Sequence, residues 1–388
     1  MNASTGEQLI SLVRAEFKNQ FENEPEYVTL TPGRINIIGE HTDYNEGLAM
    51  PSAIDRWICA AICSSSSESS TILSLNYNEI ILIDSHISGN FLEIWKQLAT
   101  TTIHVITSKF GIEEGVNMVL YGNIPIGCGL SSSSSFVISI VQTILQLFSI
   151  HMEARQIARL CQKIENRALG TSGGLLDQYA IILSRKDHFM IIDFKIDSVE
   201  YISAIINECS WIVINSHIQR ELSESDYLNR VNECNKGLAI LKEKCNISSI
   251  REIDQSMLEE LKKEYNVLFK RLCHVVDENQ RVHDMKDLLK KGAAEKVGII
   301  LKESHKSLKS LYEVSCKEIN SIIEMSEEVD GWYGGRIMGG GFGGCSIHLV
   351  AYERVNEFTD HIMESYKGKF HIVPEIMKVT FPGALEQL

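Results

Sequence analysis

GNIPIGCGLSSSSSF, residues 122–136, is the stretch that decides the fold. Gly127 and Gly129 let a ligand approach the backbone closely, because they carry no side chain. The serines then open a helix, since apolar residues recur at steps of three and four from Phe136 to Phe148. The first turn of a helix has unpaired N–H groups and a partial positive charge that suit a phosphate. Serine is also a common helix cap, so this pattern leaves two interpretations open, a cap and a phosphate site.

A second serine run, SSSSESS at residues 64–70, provides an internal comparison. It has no glycines before it and no helical pattern after it, so we interpret it as a solvated turn without a functional role. The common P-loop sequence GxxxxGK[ST] is absent from the chain. A phosphate site at 122–136 is therefore a nucleotide site of another design.

Hydrophobic periodicity predicts both helices and strands along the rest of the chain. Predicted helices have apolar residues at steps of three and four, and predicted strands are short β-rich runs between polar turns. These patterns predict a helix at 7–22, strands at 27–30, between 48 and 125, at 189–194 and at 211–215, helices across 224–330, and a glycine-rich hairpin at 334–350.

The bulk composition indicates a globular protein of two domains. The chain has 388 residues, of which 44% are hydrophobic and 23% are charged, as is typical of folded proteins. A chain of this length exceeds one ordinary hydrophobic core. We place the division between the two domains at residues 1–195 and 196–388.

Charge and cysteine content exclude several classes of protein. A formal net charge of −14 argues against nucleic-acid binding, which needs a basic surface. No apolar run approaches the ~20 residues of a membrane helix, and no signal peptide is visible. The ten cysteines form no CxxC pair and no tight Cys/His cluster, so we expect them to be reduced. We therefore expect a cytoplasmic protein with no nucleic-acid or membrane partner, and monomer as the default state.

A second group of polar residues lies in TPGRINIIGEHTDYNEG, residues 31–47. Carboxylates and an imidazole close together suit a sugar, because each sugar hydroxyl both donates and accepts hydrogen bonds. An arginine beside them can neutralise charge on a phosphoryl group during transfer. The same residues also fit a strand and turn with solvated charges. The polar residues concerned are Arg34, Glu40, His41 and Asp43.

A third stretch, IENRALGTSGGLLDQYA at residues 164–180, contains Asp177 after a glycine-rich turn. The commoner role of a single aspartate at such a turn is to cap a helix. Because Asp177 occurs together with the two preceding stretches, the alternative interpretation is that it belongs to a ligand site.

In this order, the three stretches resemble the signatures of the GHMP small-molecule kinases, and among them of the galactokinase family. GRINIIGEHTDYNEG (33–47) resembles the galactokinase signature, and PIGCGLSSSSS (125–135) resembles the superfamily phosphate loop. GGRIMGGGFGGC (334–345) resembles the third, C-terminal glycine motif of the superfamily. The segment NSHIQRELSESDYLNRVNEC (215–234) extends the resemblance to nearly the whole chain.

The resemblance implies an α+β, two-domain GHMP kinase fold. Its N-terminal domain is implied to be a ribosomal-S5-like β-α domain, and its C-terminal domain an α/β domain. The active site is implied to lie in the cleft between the two.

The resemblance also implies roles for residues, position by position. The residues implied to hold the sugar are Arg34, Glu40, His41, Asp43, Gly174, Asp177 and Tyr227. The residues implied to hold ATP are Gly127, Gly129, Ser131, Ser132 and Trp95. The Mg²⁺ ligands implied are Ser132 and Glu165, and the catalytic residues implied are Asp177 and Arg34.

The activity implied is ATP-dependent phosphorylation of the C1 hydroxyl of α-D-galactose, in galactose catabolism by the Leloir pathway. Asp177 would accept or orient the proton of that hydroxyl, and Arg34 would stabilise the developing charge. GTSGGLLDQ (170–178) is closer to the N-acetylgalactosamine kinases, so a kinase of that sugar or of another hexose is the first alternative. A non-catalytic regulator that binds galactose and ATP is the second, and loss of Asp177 or a shortened serine loop would favour it.

Overall fold

The chain alternates strands and helices in both of its halves. The computed structural model describes residues 5–84, 93–218, 223–384 and 386–387. The first half contains α1 (Gly6–Phe21), β1 (Tyr27–Asn36), β2 (Leu48–Ala49), β3 (Pro51–Ser64), β4 (Ser70–Ser74), β5 (Glu79–Ile83), α2 (Ile94–Phe110), β6 (Val116–Gly122), α3 (Ser132–Leu147), α4 (Ala154–Leu169), α5 (Leu176–Leu183), β7 (His188–Asp193) and β8 (Ser198–Ser203).

The second half is richer in helix, as its charged and glycine-poor sequence predicts. It contains β9 (Cys209–Asn215), α6 (Ser223–Lys244), α7 (Gln255–Glu264), α8 (Asn266–Lys290), α9 (Ala294–Ser307), α10 (Lys317–Ser326), β10 (Trp332–Ile337), β11 (Cys345–Ala351), α11 (Val355–Phe370), β12 (Glu375–Val379) and β13 (Glu386–Gln387). A π-helical turn, Leu308–Tyr312, follows directly on α9.

The strands form three sheets. The largest has six strands in the order β13-β1-β3-β6-β4-β5, in which β4 and β6 run parallel and the other neighbours are antiparallel. A four-stranded sheet has the order β10-β11-β9-β12 with antiparallel neighbours, and the predicted hairpin at 334–350 is its β10–β11 pair. The third sheet has the order β2-β7-β8.

The apolar run in β3 is buried on both faces of the large sheet. Successive side chains of a strand point to opposite faces. Cys59, Ala61 and Cys63 accordingly pack with α1 on one face. Ile58, Ala60 and Ile62 face the layer of α3 on the other. The sheet is thus the central layer beside α3, and two of the predicted site residues lie here: Arg34 near the end of β1 and Ser132 at the start of α3.

Helix α2 is a helix that the sequence pattern did not predict, since only strands were expected between 48 and 125. The segment carries ATTTIHVIT (99–107), which is rich in β-branched residues of low helix propensity. In the structure the buried threonines Thr100, Thr101 and Thr102 lie on a helix that packs against α3 and α4. Tertiary packing therefore outweighed the local preference.

The proposed division after residue 195 falls in the turn between β7 and β8, two paired strands of the three-stranded sheet. Near the C-terminus, β13 returns to pair with β1 of the large sheet. Strands from beyond residue 195 therefore complete two sheets of the first half, and the position of the boundary stays a prediction.

The described ranges contain no membrane-spanning helix, and their cysteines are unpaired. No helix there combines the length and apolar character needed to cross a membrane. All ten cysteines are free thiols.

Candidate active site

A single cleft of about 700 Å³ brings the predicted site residues together. Its wall combines the three sequence stretches with residues from α2, α4 and α6. Every residue to which the sequence resemblance gave a role lines it: Arg34, Glu40, His41, Asp43, Trp95, Gly127, Gly129, Ser131, Ser132, Glu165, Gly174, Asp177 and Tyr227.

The phosphate loop enters α3 through three left-handed residues. The φ angles of Gly127, Gly129 and Ser131 are 76°, 80° and 61°, and such angles are uncommon for a residue other than glycine. Ser131 is the residue before the first turn of α3, yet its side chain makes no capping hydrogen bond. The first turn therefore faces the cleft without the usual serine cap, which favours the phosphate-site interpretation of this stretch.

Asp177 lies in the first turn of α5 and joins the loop to Arg34. Its Oδ1 accepts hydrogen bonds from Arg34 Nε at 2.8 Å and Nη2 at 2.5 Å. Its Oδ2 accepts one from the Ser131 hydroxyl at 2.6 Å. Arg34 Nη1 also donates to the carbonyl of Gly129 at 2.5 Å. One carboxylate, one guanidinium and the phosphate loop thus form a connected group in the cleft wall.

Glu165 projects from α4 toward the start of α3. Its Oε1 accepts a hydrogen bond from Ser133 at 2.6 Å, and its Oε2 accepts from Ser134 at 2.7 Å and from Gln178 at 2.7 Å. Burial raises the pKa of Glu165, as does the nearby charge of Asp177, while the serine and glutamine bonds lower it. The serines that contact Glu165 are therefore Ser133 and Ser134, next to Ser132, which the sequence resemblance implied as a Mg²⁺ ligand together with Glu165.

Asp43 packs against the glycine-rich turn that precedes Asp177. A Cβ atom built on Gly174 would lie 2.0 Å from Asp43 Oδ2, so any residue larger than glycine here would displace the Asp43 carboxylate. Burial raises the pKa of Asp43 to about 7, and the neighbouring Asp177 and Glu40 contribute in the same direction. The backbone N–H of Tyr44 opposes this shift by favouring the charged form.

Two pairs of aromatic rings line the cleft. Tyr227 of α6 lies 5.8 Å from the ring of His41, between ring centroids. Trp95 of α2 is buried and stacks on Tyr77, with ring centroids 5.3 Å apart and an angle of 9° between the planes. Tyr77 had no role in the sequence interpretation, because a single tyrosine in a turn is an ordinary surface residue.

Three family models match parts of this chain, and curated relatives match most of its length. The model of the GHMP kinases N terminal domain matches residues 97–185, and that of the GHMP kinases C terminal domain matches residues 285–364. The galactokinase galactose-binding signature matches residues 15–64. A galactokinase of Clostridium perfringens is 33% identical over 364 residues, which are 92% of this chain and 94% of that protein. The chain belongs to the galactokinase family.

Solved structures of GHMP kinases share the fold of this galactokinase family member. A galactokinase of Lactococcus lactis complexed with galactose has a TM-score of 0.89 and 28% identity, covering 98% of this chain and 100% of that one. The mevalonate kinase of Methanococcus jannaschii has a TM-score of 0.67 and 19% identity, covering 91% and 98%. The predicted α+β GHMP kinase fold is confirmed, and membership of a kinase family implies ATP as the co-substrate.

The galactose-binding signature of this galactokinase family member is held by the third glycine motif. Glu40 Oε1 accepts hydrogen bonds from the N–H of Gly339 at 2.8 Å and from Arg336 Nη2 at 3.2 Å. Arg336 is fully buried and donates further bonds to the carbonyls of Ile37 at 2.7 Å and Asn36 at 2.5 Å. One oxygen of Glu40, a residue of the cleft wall, is thus held by two donors of the protein.

A second buried charge supports the same loop from α8. Glu278 is fully buried, and its Oε1 accepts hydrogen bonds from the N–H groups of Gly39 at 3.0 Å and Glu40 at 3.3 Å. Burial alone would raise the pKa of Glu278, but the charges of Arg281 and Arg336 among others lower it, so the carboxylate is ionised. The sequence offered no signal for this role, since Glu278 is one of many acidic residues in a charged helical region.

Proposed function

We propose that this protein is a galactokinase, which transfers the γ-phosphoryl group of ATP to the C1 hydroxyl of α-D-galactose and yields galactose 1-phosphate. One observation carries the proposal. Asp177 is bonded both to Arg34 and to the phosphate loop in a cleft that the galactose-binding signature also lines. The acceptor for a sugar proton therefore lies next to the place expected for the nucleotide phosphates.

The arrangement suits phosphoryl transfer, which depends on positioning and charge stabilisation more than on covalent help. Asp177 Oδ1 takes two bonds from Arg34, whereas Oδ2 takes one from Ser131. A carboxylate oxygen accepts two hydrogen bonds, so Oδ2 has capacity for the C1 hydroxyl. Arg34 holds its positive charge beside the phosphate loop, where negative charge develops during the transfer.

The protein groups fit Mg²⁺ as the companion of ATP. Mg²⁺ in kinases is usually held by one or two carboxylates together with substrate phosphates, rather than by a cage of protein ligands. In keeping with this, the described residues contain no cluster of three or more His, Cys, Asp or Glu that could hold a metal. Glu165 bonds the hydroxyl of Ser133, and both residues line the cleft beside the phosphate loop together with Ser132, so these three would offer oxygen ligands. Bound there, the ion would neutralise phosphate charge.

Ser133→Ala is expected to raise the Mg²⁺ concentration for half-maximal activity several-fold, and by more than Ser132→Ala does. The reason is that the Ser133 hydroxyl contacts Glu165 at 2.6 Å. The KM for galactose should stay unchanged. Ser66→Ala, in the exposed turn between β3 and β4, is the matched control and should leave all constants unaltered. A larger effect of Ser132→Ala would favour Ser132, the serine implied by the sequence resemblance, as the Mg²⁺ ligand.

Galactose is expected to bind more tightly as the pH rises from about 6 to about 8. At pH values below the pKa of Asp43, the affinity should rise by up to about tenfold per pH unit. The pKa of Asp43 is about 7 without ligand, and hydroxyl donors from a sugar favour the ionised form. Binding should therefore release a proton, and affinity should level off once Asp43 is ionised. Calorimetry in buffers of different ionisation enthalpy measures both quantities. Asp43→Asn should flatten the profile, and an unchanged slope in that variant contradicts the assignment.

The choice of sugar is tested by ATP consumption with galactose, N-acetylgalactosamine, glucose and arabinose. Glucose inverts the C4 hydroxyl, which leaves a buried partner unpaired at a cost of ~1–3 kcal/mol, so glucose should be a poor substrate. The GTSGG turn at 170–174 favours N-acetylgalactosamine as the second candidate. A kcat/KM for N-acetylgalactosamine above that for galactose would assign N-acetylgalactosamine as the preferred substrate. The proposed ATP site would not be affected by that result. No turnover of any sugar would favour a regulator, although Asp177 and the full serine loop are present. Monomeric state and cytoplasmic location stay predictions.

A further inference from the structure

A chain of hydrogen bonds runs from the galactose-binding signature into the second half of the protein. His41 Nδ1 lies 2.8 Å from the hydroxyl of Tyr44. That hydroxyl lies 2.8 Å from the hydroxyl of Tyr312, which in turn lies 3.2 Å from the thiol sulfur of Cys234. Three elements far apart in sequence thus meet at His41 and Tyr44, both of which line the cleft: the signature loop, the π-helical turn and α6.

Tyr312 owes its position to the π-helical turn Leu308–Tyr312. Arg230 Nε donates to the carbonyl of Tyr312 at 2.7 Å, and Arg271 Nη1 donates to the carbonyl of Leu311 at 2.5 Å. These two guanidiniums bond carbonyl groups at the end of the turn. Short π-helical segments are rare and frequently lie at functional sites. Here the segment places the fully buried ring of Tyr312 against His41, with ring centroids 4.6 Å apart.

Both phenols keep their hydrogen at neutral pH. Burial raises the pKa of Tyr44 and of Tyr312 well above the usual value. Each hydroxyl has one hydrogen to donate and can also accept. The hydrogen bonds of this network can therefore all be donated in one of two directions, either from Cys234 toward His41 or from His41 toward Cys234. In both cases Nδ1 of the imidazole makes a hydrogen bond.

The backbone at His41 needs support from its surroundings. Its φ angle is 62°, in the left-handed region that few residues other than glycine adopt. Such a conformation costs free energy and persists where neighbouring structure maintains it. Asn45 Nδ2 donates to the carbonyl of His41 at 2.8 Å, and the tyrosine chain holds the ring. The backbone and the side chain of His41 are thus bonded separately.

We propose that Tyr44 and Tyr312 are positioning residues that hold the His41 imidazole in one orientation and thereby determine the affinity for the sugar. The inference rests on the proposed function, in which His41 contacts galactose. Neither tyrosine needs to touch the sugar for this role, since each acts through the ring of His41.

Tyr312→Phe tests the proposal, because it removes the hydroxyl and leaves the ring that packs on His41. We expect the Kd for galactose, measured by calorimetry, to rise about tenfold, as a buried partner loses its hydrogen bond. The KM for ATP and the kcat at saturating galactose should stay within about twofold of the parent values. Tyr366→Phe is the matched control: Tyr366 is also fully buried and donates to the carbonyl of Ser216 at 3.0 Å. It should leave the Kd unchanged.

A double-mutant cycle separates positioning from general destabilisation. In a His41→Gly background, which suits the left-handed backbone and removes the ring, Tyr312→Phe should produce no further loss of affinity. A tenfold loss that persists in this background overturns the proposal, as does an unchanged Kd in a folded Tyr312→Phe protein. Tyr44→Phe is the second variant if Tyr312→Phe fails to fold, with the same expected results.

Failure of this inference is distinguishable from failure of the proposed function. Absence of galactose binding and turnover in the unaltered protein would overturn the proposed function. Galactose binding in the unaltered protein, with no coupling between Tyr312 and His41 in the cycle, would overturn the inference alone.

Discussion

Asp177→Asn is expected to lower the kcat for galactose by a hundredfold or more, while the Kd for galactose changes little. An asparagine keeps the size of the side chain, and its carbonyl oxygen can still accept from Arg34, which bonds Oδ1 in the structure. It cannot take a proton from the C1 hydroxyl, and a positioned general base contributes ~10²–10⁴-fold to a rate. Steady-state kinetics and calorimetry on the same preparation measure the two constants.

Asp193→Asn is the matched control for this prediction. Asp193 also pairs with an arginine, Arg251, at 2.7 Å, but it lies on β7 and is not part of the cleft wall. Its replacement should leave kcat within about twofold. Near-normal turnover in a folded Asp177→Asn protein would show that the carboxylate is not the acceptor of the proton.

Arg336→Met is expected to lower the free energy of unfolding by about 3–5 kcal/mol, the usual cost of removing one partner from a buried ion pair. Arg336 is fully buried and bonds the carboxylate of Glu40 together with the carbonyls of Asn36 and Ile37. Methionine has a similar length but donates no hydrogen bond, so these acceptors lose their partner in the interior. Urea unfolding at 25 °C, followed by circular dichroism, measures the change.

Arg354→Met is the control for the effect of removing a guanidinium as such. The side chain of Arg354 is 43% exposed and pairs with Glu357 at the surface, and an exposed pair contributes ~0–1 kcal/mol. Arg336→Lys should fall between the two, because lysine retains the charge but not the fork of donors. A loss below about 1 kcal/mol for Arg336→Met would contradict the structural role of this bridge.

The sequence alone identified the parts of the site whose chemistry is local. Gly127 and Gly129, followed by serines and a helical pattern, predict a loop that leads into a helix. These signals lie close together in the sequence, and the structure confirms both the loop and the start of α3. Such features are readable because backbone freedom at glycine and helix initiation depend on neighbouring residues. The resemblance to the galactokinase family rested on motifs of this kind.

Local preference failed where packing decided the outcome. The run of threonines at 100–102 favours strand, yet it lies in α2 because the helix is buried against α3 and α4. Likewise, a run of identical serines carries no information about which hydroxyl faces Glu165. The direction of each side chain around α3 determines that Ser133 and Ser134 make the contact.

The residues that hold the galactose-binding signature in place could be found only in the tertiary structure. Glu278 is 239 positions from Gly39, Arg336 is 299 positions from Ile37, and Tyr312 is 268 positions from Tyr44. In the sequence each is one polar residue in an ordinary helix or glycine-rich segment. Burial gives these residues their importance, because a charge or hydroxyl withdrawn from water must find its partner within the protein. The sequence by itself therefore determined the family and the motifs that line the cleft, whereas the contacts that position those motifs were decided by the packing of distant segments.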